Sequence, residues 1–165
     1  MTQTSKQILT MLAFVLPVFG MVCAAIAPVR AQSVVTLIVT DPLTGIAISG
    51  YDPVSYFTEP APLPGRADFE LVWQNVPWHF ASAANRDVFQ RAPEVYAPQY
   101  GGHDGMGVSR GFVADSDARI YAVFKERLYL FYSAANREAF LLAPDAAART
   151  GAEKWPELSR QLSVN

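Results

Sequence analysis

The stretch Ser82-Ala83-Ala84-Asn85-Arg86-Asp87-Val88-Phe89 returns 51 residues later as Ser133-Ala134-Ala135-Asn136-Arg137-Glu138-Ala139-Phe140. The match extends without a gap in both directions. Residues 69–94 (FELVWQNVPWHFASAANRDVFQRAPE) lie over residues 120–145 (IYAVFKERLYLFYSAANREAFLLAPD), and ten of the 26 aligned positions are identical. Identity of that density in one register reads as a single small unit used twice. Within the first copy, 69–73 reads as a strand, 74–77 as a turn and 78–81 as the return strand. Ser82 then supplies a helix N-cap, with Asn85 where a full capping box has Glu or Gln. Val88 and Phe89 place apolar groups on one helix face, and Pro93 stops or restarts the helix. The second copy repeats each step: strand 120–124, turn 125–127, strand 128–132, cap Ser133, helix to about Leu142, stop at Pro144. A last helix is expected over 146–162, broken near Trp155-Pro156.

A lone hairpin cannot bury its apolar face. The expected fold class is therefore α+β, with two pseudo-repeated β-hairpin–helix units sharing one antiparallel sheet covered by helices. Upstream, the β-branched run 34–40 reads as a strand and 46–49 as a short extended piece, with a turn at Asp41-Pro42 and Gly45 between them. Asp52 reads as a cap for a helical turn whose first position is Pro53, and 59–65, with three prolines, as a loop. Between the copies lies Tyr96-Ala97-Pro98-Gln99-Tyr100-Gly101-Gly102-His103-Asp104-Gly105-Met106-Gly107, which has no counterpart after the second copy, where 147–151 stands instead. Loops of this kind on a rigid scaffold often carry binding groups.

The first 31 residues read as a secretory signal: Lys6, an apolar run over 8–26, and Val29-Arg30-Ala31 as the cleavage site. The run is long enough that an uncleaved membrane anchor is the alternative. Cys23 follows Val22 rather than a small residue, which speaks against lipidation. Residues 32–165 then form a single domain, periplasmic or secreted. It retains 11 Lys plus Arg against 15 Asp plus Glu, a net charge of about −4, and gathers no basic patch for nucleic acid. The chain's one cysteine lies in the signal. The domain therefore has no disulfide, no cysteine nucleophile and no thiolate metal ligand. Its stability rests on packing, to which Trp73, Trp78 and Trp155 contribute large areas.

GYDPVSYF at 50–57, WHFASAANRDVFQRAPEVYAPQYGG at 78–102, LYLFYS at 128–133 and KWPEL at 154–158 together closely resemble the exported stand-alone YHS-domain proteins, over most of residues 46–158. The resemblance implies a small α+β domain related to the metal-handling YHS and TRASH-type modules found beside copper-transport proteins. It implies no particular reaction. Metal-linked relatives carry cysteines at the positions held here by Ser55, Ala81 and Asn85. Stand-alone members usually carry one at the position of Asp104, with His103 just before it here. A thiolate site for a soft metal is thus not available.

The remaining metal candidates are His103, Asp104 and Met106, with His79 as a fourth ligand, for copper or zinc. The competing reading makes the loop a turn in which Asp104 bonds backbone amides and Met106 packs inward. His79 stands between Trp78 and Phe80, so alternation puts it on the face opposite those rings. Its counterpart in the second copy is Leu130. Tyr51 and Tyr100, with Tyr56 and Tyr96, offer ring and hydroxyl to a small-ligand pocket or to the edge of the core. Arg86 and Arg137 occur in both copies and read as architectural, pairing with Glu94 and Asp145 or bonding a helix C-terminal carbonyl. No Gly-x-Ser-x-Gly elbow and no phosphate-binding loop is present. The expected role is a non-catalytic exported binding module for a metal ion or small ligand. The alternative is an envelope protein-interaction or structural module with a lost metal site. Association with the membrane is expected only if residues 1–31 are retained.

Overall fold

The computed structural model describes residues 37–162. The export signal expected at 1–31, and the first part of the strand expected at 34–40, lie outside the described residues. Within them, that strand is reduced to one isolated bridge between Thr40 and Ala47. The piece expected to be extended at 46–49 is instead the 3₁₀ turn Ile48–Gly50. Ile48 is turned into the core, 1% exposed, and accepts positive φ there, as does Ser49. The chain then forms α1 (Ser55–Thr58), β1 (Arg66–Trp73), β2 (Val76–Phe80), α2 (Ala83–Arg91) and α3 (Pro93–Tyr96). A second 3₁₀ turn at Gln99–Gly102 leads to α4 (Gly105–Arg110), β3 (Asp117–Phe124), β4 (Arg127–Phe131), α5 (Ala134–Leu142) and α6 (Pro144–Leu162).

The fold is mixed α/β, and the described residues form six helices and two antiparallel two-stranded sheets. β1 pairs with β2 and β3 with β4, and the hairpins do not join into the single shared sheet expected from the sequence. The far side of each inner strand is already engaged by irregular chain. The Ala47 N–H donates to the carbonyl of Pro77 on β2, and Asp104 bridges Leu130 on β4 in parallel. Neither inner strand therefore offers a free edge to the other hairpin.

The two hairpins have the same register. Trp73 faces Val76 around Gln74-Asn75, and Phe124 faces Arg127 around Lys125-Glu126. All four turn residues have positive φ, between 49° and 63°, as a two-residue turn matched to strand twist requires. Each hairpin also carries one irregularity at the same distance from its turn, between Arg66 and Glu70 and between Asp117 and Tyr121. The caps follow suit: Ser82 Oγ accepts from Asn85 N at 3.1 Å, and Ser133 Oγ from Asn136 N at 3.2 Å.

Each helix after a hairpin sends one phenylalanine into the rings of that hairpin. Phe89 lies 5.6 Å from Trp73, 5.3 Å from Trp78 and 5.2 Å from Phe80. Phe140 lies 4.8 Å from Tyr129 and 5.2 Å from Phe131. The first core cluster gathers around Phe89 and includes Ile48, Val54, Tyr56 and Leu130; the second gathers around Phe140 with Tyr100, Val108 and Ala147. The break expected at Trp155-Pro156 does not occur, and α6 runs unbroken to Leu162. Trp155 and Leu158 pack on the second cluster on either side of the exposed Pro156. That packing outweighs a proline penalty of roughly 3 kcal/mol.

Tyr56 ties the first cluster to β3: its hydroxyl donates to the carbonyl of Ala118 at 2.7 Å. Burial pushes its phenol far above the ordinary tyrosine value. The stabilisation this represents is fully present below the unfolded phenol's value of about 10 and is lost as pH rises beyond it toward the folded value. The melting temperature is therefore expected to fall above about pH 10, and Tyr56→Phe to flatten that fall while losing about 1 kcal/mol at neutral pH. Tyr100 and Tyr129 shift in the same direction, so the flattening is partial. Melts of both proteins between about pH 8 and about pH 11 check this; parallel alkaline slopes would remove Tyr56 as the cause.

Candidate functional site

Two aspartates with no exposed surface, Asp52 and Asp104, organise the polar interior. Asp52 Oδ1 accepts from the N–H of Val54 at 2.8 Å. Its Oδ2 accepts from the N–H of Ala81 at 2.9 Å and from Asn85 Nδ2 at 2.6 Å. Asp104 Oδ1 accepts from the N–H of Met106 at 3.2 Å, and Oδ2 accepts from Asn136 Nδ2. Each carboxylate thus links the turn before a hairpin to the first turn of the helix after it. Several N–H donors and a nearby helix N-terminus are what allow a carboxylate to be buried. The backbone around the two aspartates also corresponds. Asp52 N–H donates to Leu63 and Asp104 N–H to Ala114, each at 2.9 Å. Tyr51 bridges Pro64 as His103 bridges Asp115. The glycine-rich turn does have a counterpart, upstream of the first hairpin: Ile48-Ser49-Gly50-Tyr51-Asp52 takes positive φ at its first three residues, as does Tyr100-Gly101-Gly102-His103-Asp104. The offset there is 52 residues rather than 51, which hides the correspondence from an ungapped comparison.

Ser55, Ala81 and Asn85 all border Asp52. Ser55 Oγ donates to the Asp52 carbonyl at 2.7 Å and accepts from Leu63 N at 2.9 Å. The Ala81 N–H and the Asn85 amide take the Asp52 carboxylate. The positions that resemblance associates with thiolates therefore surround a hydrogen-bonded carboxylate in this chain.

The other sequence candidates are placed apart. His79 is half-buried beside its cross-strand neighbour, with Nε2 3.1 Å from Glu70 Oε2, on the strand face opposite the buried Trp78 and Phe80 as alternation requires. His103 is fully buried, its ring 5.8 Å from that of Trp155 and its Nδ1 3.4 Å from Asp115 Oδ1. Met106 packs on the second cluster. Among the described residues no group of three or more His, Cys, Asp or Glu side chains is disposed to hold a metal ion. The arginines differ from expectation in detail. Arg86 pairs with Asp87, Arg137 pairs with Glu138 and donates to the Tyr121 carbonyl at 2.8 Å, and Asp145 is taken by Lys125.

Tyr100 opens onto a different feature. A cleft of about 530 Å³ lies between the tip of the first hairpin, the Gln99–Gly102 turn and α6. Its walls include Trp73, Trp78, Tyr100 and Trp155, with Arg127 and Glu94 as its charged lining residues. These are the chain's three tryptophans. Two close approaches shape it. Gly101, at φ +63°, runs so near Leu37 that a Cβ would fall 1.7 Å from that carbonyl oxygen, and Gly151 on α6 comes within 2.5 Å of the Tyr100 hydroxyl on the same measure. The Tyr100 hydroxyl donates to the Ala148 carbonyl at 3.0 Å, which fixes the ring as a wall. Tyr51 lines a separate, more polar depression with Asp117 and Arg119.

Comparison with protein-family models, with curated proteins and with solved structures found no match. Among the described residues no helix is long and apolar enough to cross a membrane. The sequence points to Tyr100 but not to the rest of the cleft. Trp73 and Trp78 share the first hairpin, Trp155 lies far downstream in the last helix, and all three read as core. The one available signal is that the chain has so few tryptophans and that none falls in the second hairpin unit proper.

Proposed function

We propose that this chain is a non-catalytic, exported binding domain of YHS type, built by internal duplication of a hairpin–helix unit, and that it binds a small organic molecule in the tryptophan-lined cleft. The observation that carries the reading is the convergence of all three tryptophans and Tyr100 on one cleft of about 530 Å³. That volume falls in the range of small-molecule sites, which combine aromatic walls with a few polar groups. Partly exposed indoles at Trp73 and Trp155 keep apolar surface in contact with water, and covering it is favourable at about 25 cal/mol per Å². The buried aspartates are read as the scaffold that holds the two turns in place. Their oxygens are occupied by N–H groups, which supports a structural role for the glycine-rich turn over a metal site.

Intrinsic tryptophan fluorescence reports on the cleft directly. Small naphthalene derivatives are expected to quench the full chain's emission saturably. Ala152→Phe, on the exposed face of α6 where it lines the cleft, is expected to weaken binding at least tenfold while leaving the melting temperature nearly unchanged. Non-saturable quenching, identical in the variant, would remove the cleft from consideration. A saturable response to copper or zinc, lost in His103→Ala, would favour the metal reading instead.

A further inference from the structure

We infer that the cleft selects flat aromatic molecules bearing one anionic group, a carboxylate or its equivalent, held against the indoles with the anion on Arg127. This rests on the cleft being the binding site. Among the described residues, Arg127 is the only basic residue lining it and Glu94 the only acidic one. Most charged side chains of the hairpins and their helices are consumed by neighbours: Arg66, Arg86, Arg119, Lys125 and Arg137 each have a carboxylate partner. Arg127 differs. Its Nη1 donates to the backbone carbonyl of Glu94 at 3.1 Å, and among the described residues no carboxylate, that of Glu94 included, forms an ion pair with it.

That single bond to a carbonyl anchors the guanidinium at the cleft and leaves other N–H donors of its planar fork for a ligand. A guanidinium matches the two oxygens of a carboxylate geometrically, and a charge-assisted pair is roughly twice as strong as a neutral hydrogen bond. The placement is specific to the second hairpin. Arg127 is the first residue of β4, immediately after the Lys125-Glu126 turn, and its counterpart in the first hairpin is Val76. The repeated unit does not need a cation there. The chain as a whole carries a net charge of −2, so a generic surface field would repel an anion. Selection of one must come from a local group.

The test uses three probes of one shape on the full chain: 2-naphthoate, 2-naphthylmethanol and 2-naphthylmethylamine, titrated by tryptophan fluorescence at low salt. The naphthoate is expected to bind at least tenfold more tightly than the alcohol. Arg127→Gln should remove that advantage and leave the alcohol's affinity unchanged, while Arg127→Lys should retain part of it. Raised salt should weaken the naphthoate alone. Equal affinities for naphthoate and alcohol, preference for the amine, or equal loss of both in Arg127→Gln would overturn the assignment with the cleft intact. Binding of none of the three would overturn the cleft itself, and this assignment with it.

Discussion

Asp52→Ala is expected to lower the unfolding free energy by about 4 kcal/mol, because it leaves three donors without an acceptor and each buried unsatisfied group costs about 1–3 kcal/mol. Those donors are the N–H groups of Val54 and Ala81 and the Asn85 amide. A domain of this size has roughly 5–15 kcal/mol in total, so the variant should be close to unfolded at physiological temperature. Asp52→Asn separates geometry from charge. Turned one way, its amide nitrogen faces the Ala81 N–H and the Asn85 amide; turned the other way, it faces the Val54 N–H. At least one donor loses its acceptor in either orientation, and a cost of about 2 kcal/mol is expected. Asp104→Asn should cost less, since fewer donors converge on that carboxylate. Urea unfolding of the three variants decides the matter. An Asp52→Asn variant within about 0.5 kcal/mol of the parent would mean that the carboxylate is not the organising group.

Phe89→Ala and Phe140→Ala are each expected to cost about 3–5 kcal/mol, the usual result of emptying a well-packed aromatic site. Both side chains are fully buried. Their consequences for binding should differ. Phe89 supports Trp73 and Trp78 from behind, at 5.6 Å and 5.3 Å, and those indoles form one wall of the cleft. Phe140 supports Phe124, Tyr129 and Phe131, none of which lines it. At a temperature where both variants remain folded, Phe89→Ala should alter tryptophan emission and weaken naphthoate binding. Phe140→Ala should lower stability and leave the Kd within about twofold, or about 0.4 kcal/mol. Equal effects on binding would mean that the cleft is coupled to the whole fold rather than to the first hairpin.

Much of the local structure is legible from residue order alone. The hairpin, the serine cap and the helix appear twice because their signals are local: alternation, a short polar turn, Ser82 or Ser133 at a cap, Pro93 or Pro144 at a restart. The match of Asp52 to Asp104 is less visible. It depends on a one-residue change of offset inside turns where conformation is conserved and side chains are not. Tyr51 and His103 occupy equivalent places with unrelated chemistry.

What the order of residues determined by itself was the pair of hairpin–helix units and a stretch 32–165 without cysteine, because period, capping and composition are properties of short segments. Tertiary structure decided three further matters. It kept the hairpins in separate sheets, since loop segments engage the far side of β2 and β4. It carried α6 through Pro156, since packing of Trp155 and Leu158 exceeds the local penalty. It also brought Trp73, Trp78, Tyr100, Arg127 and Trp155 to one cleft. Burial and convergence depend on which distant surfaces meet, and no segment carries that information alone.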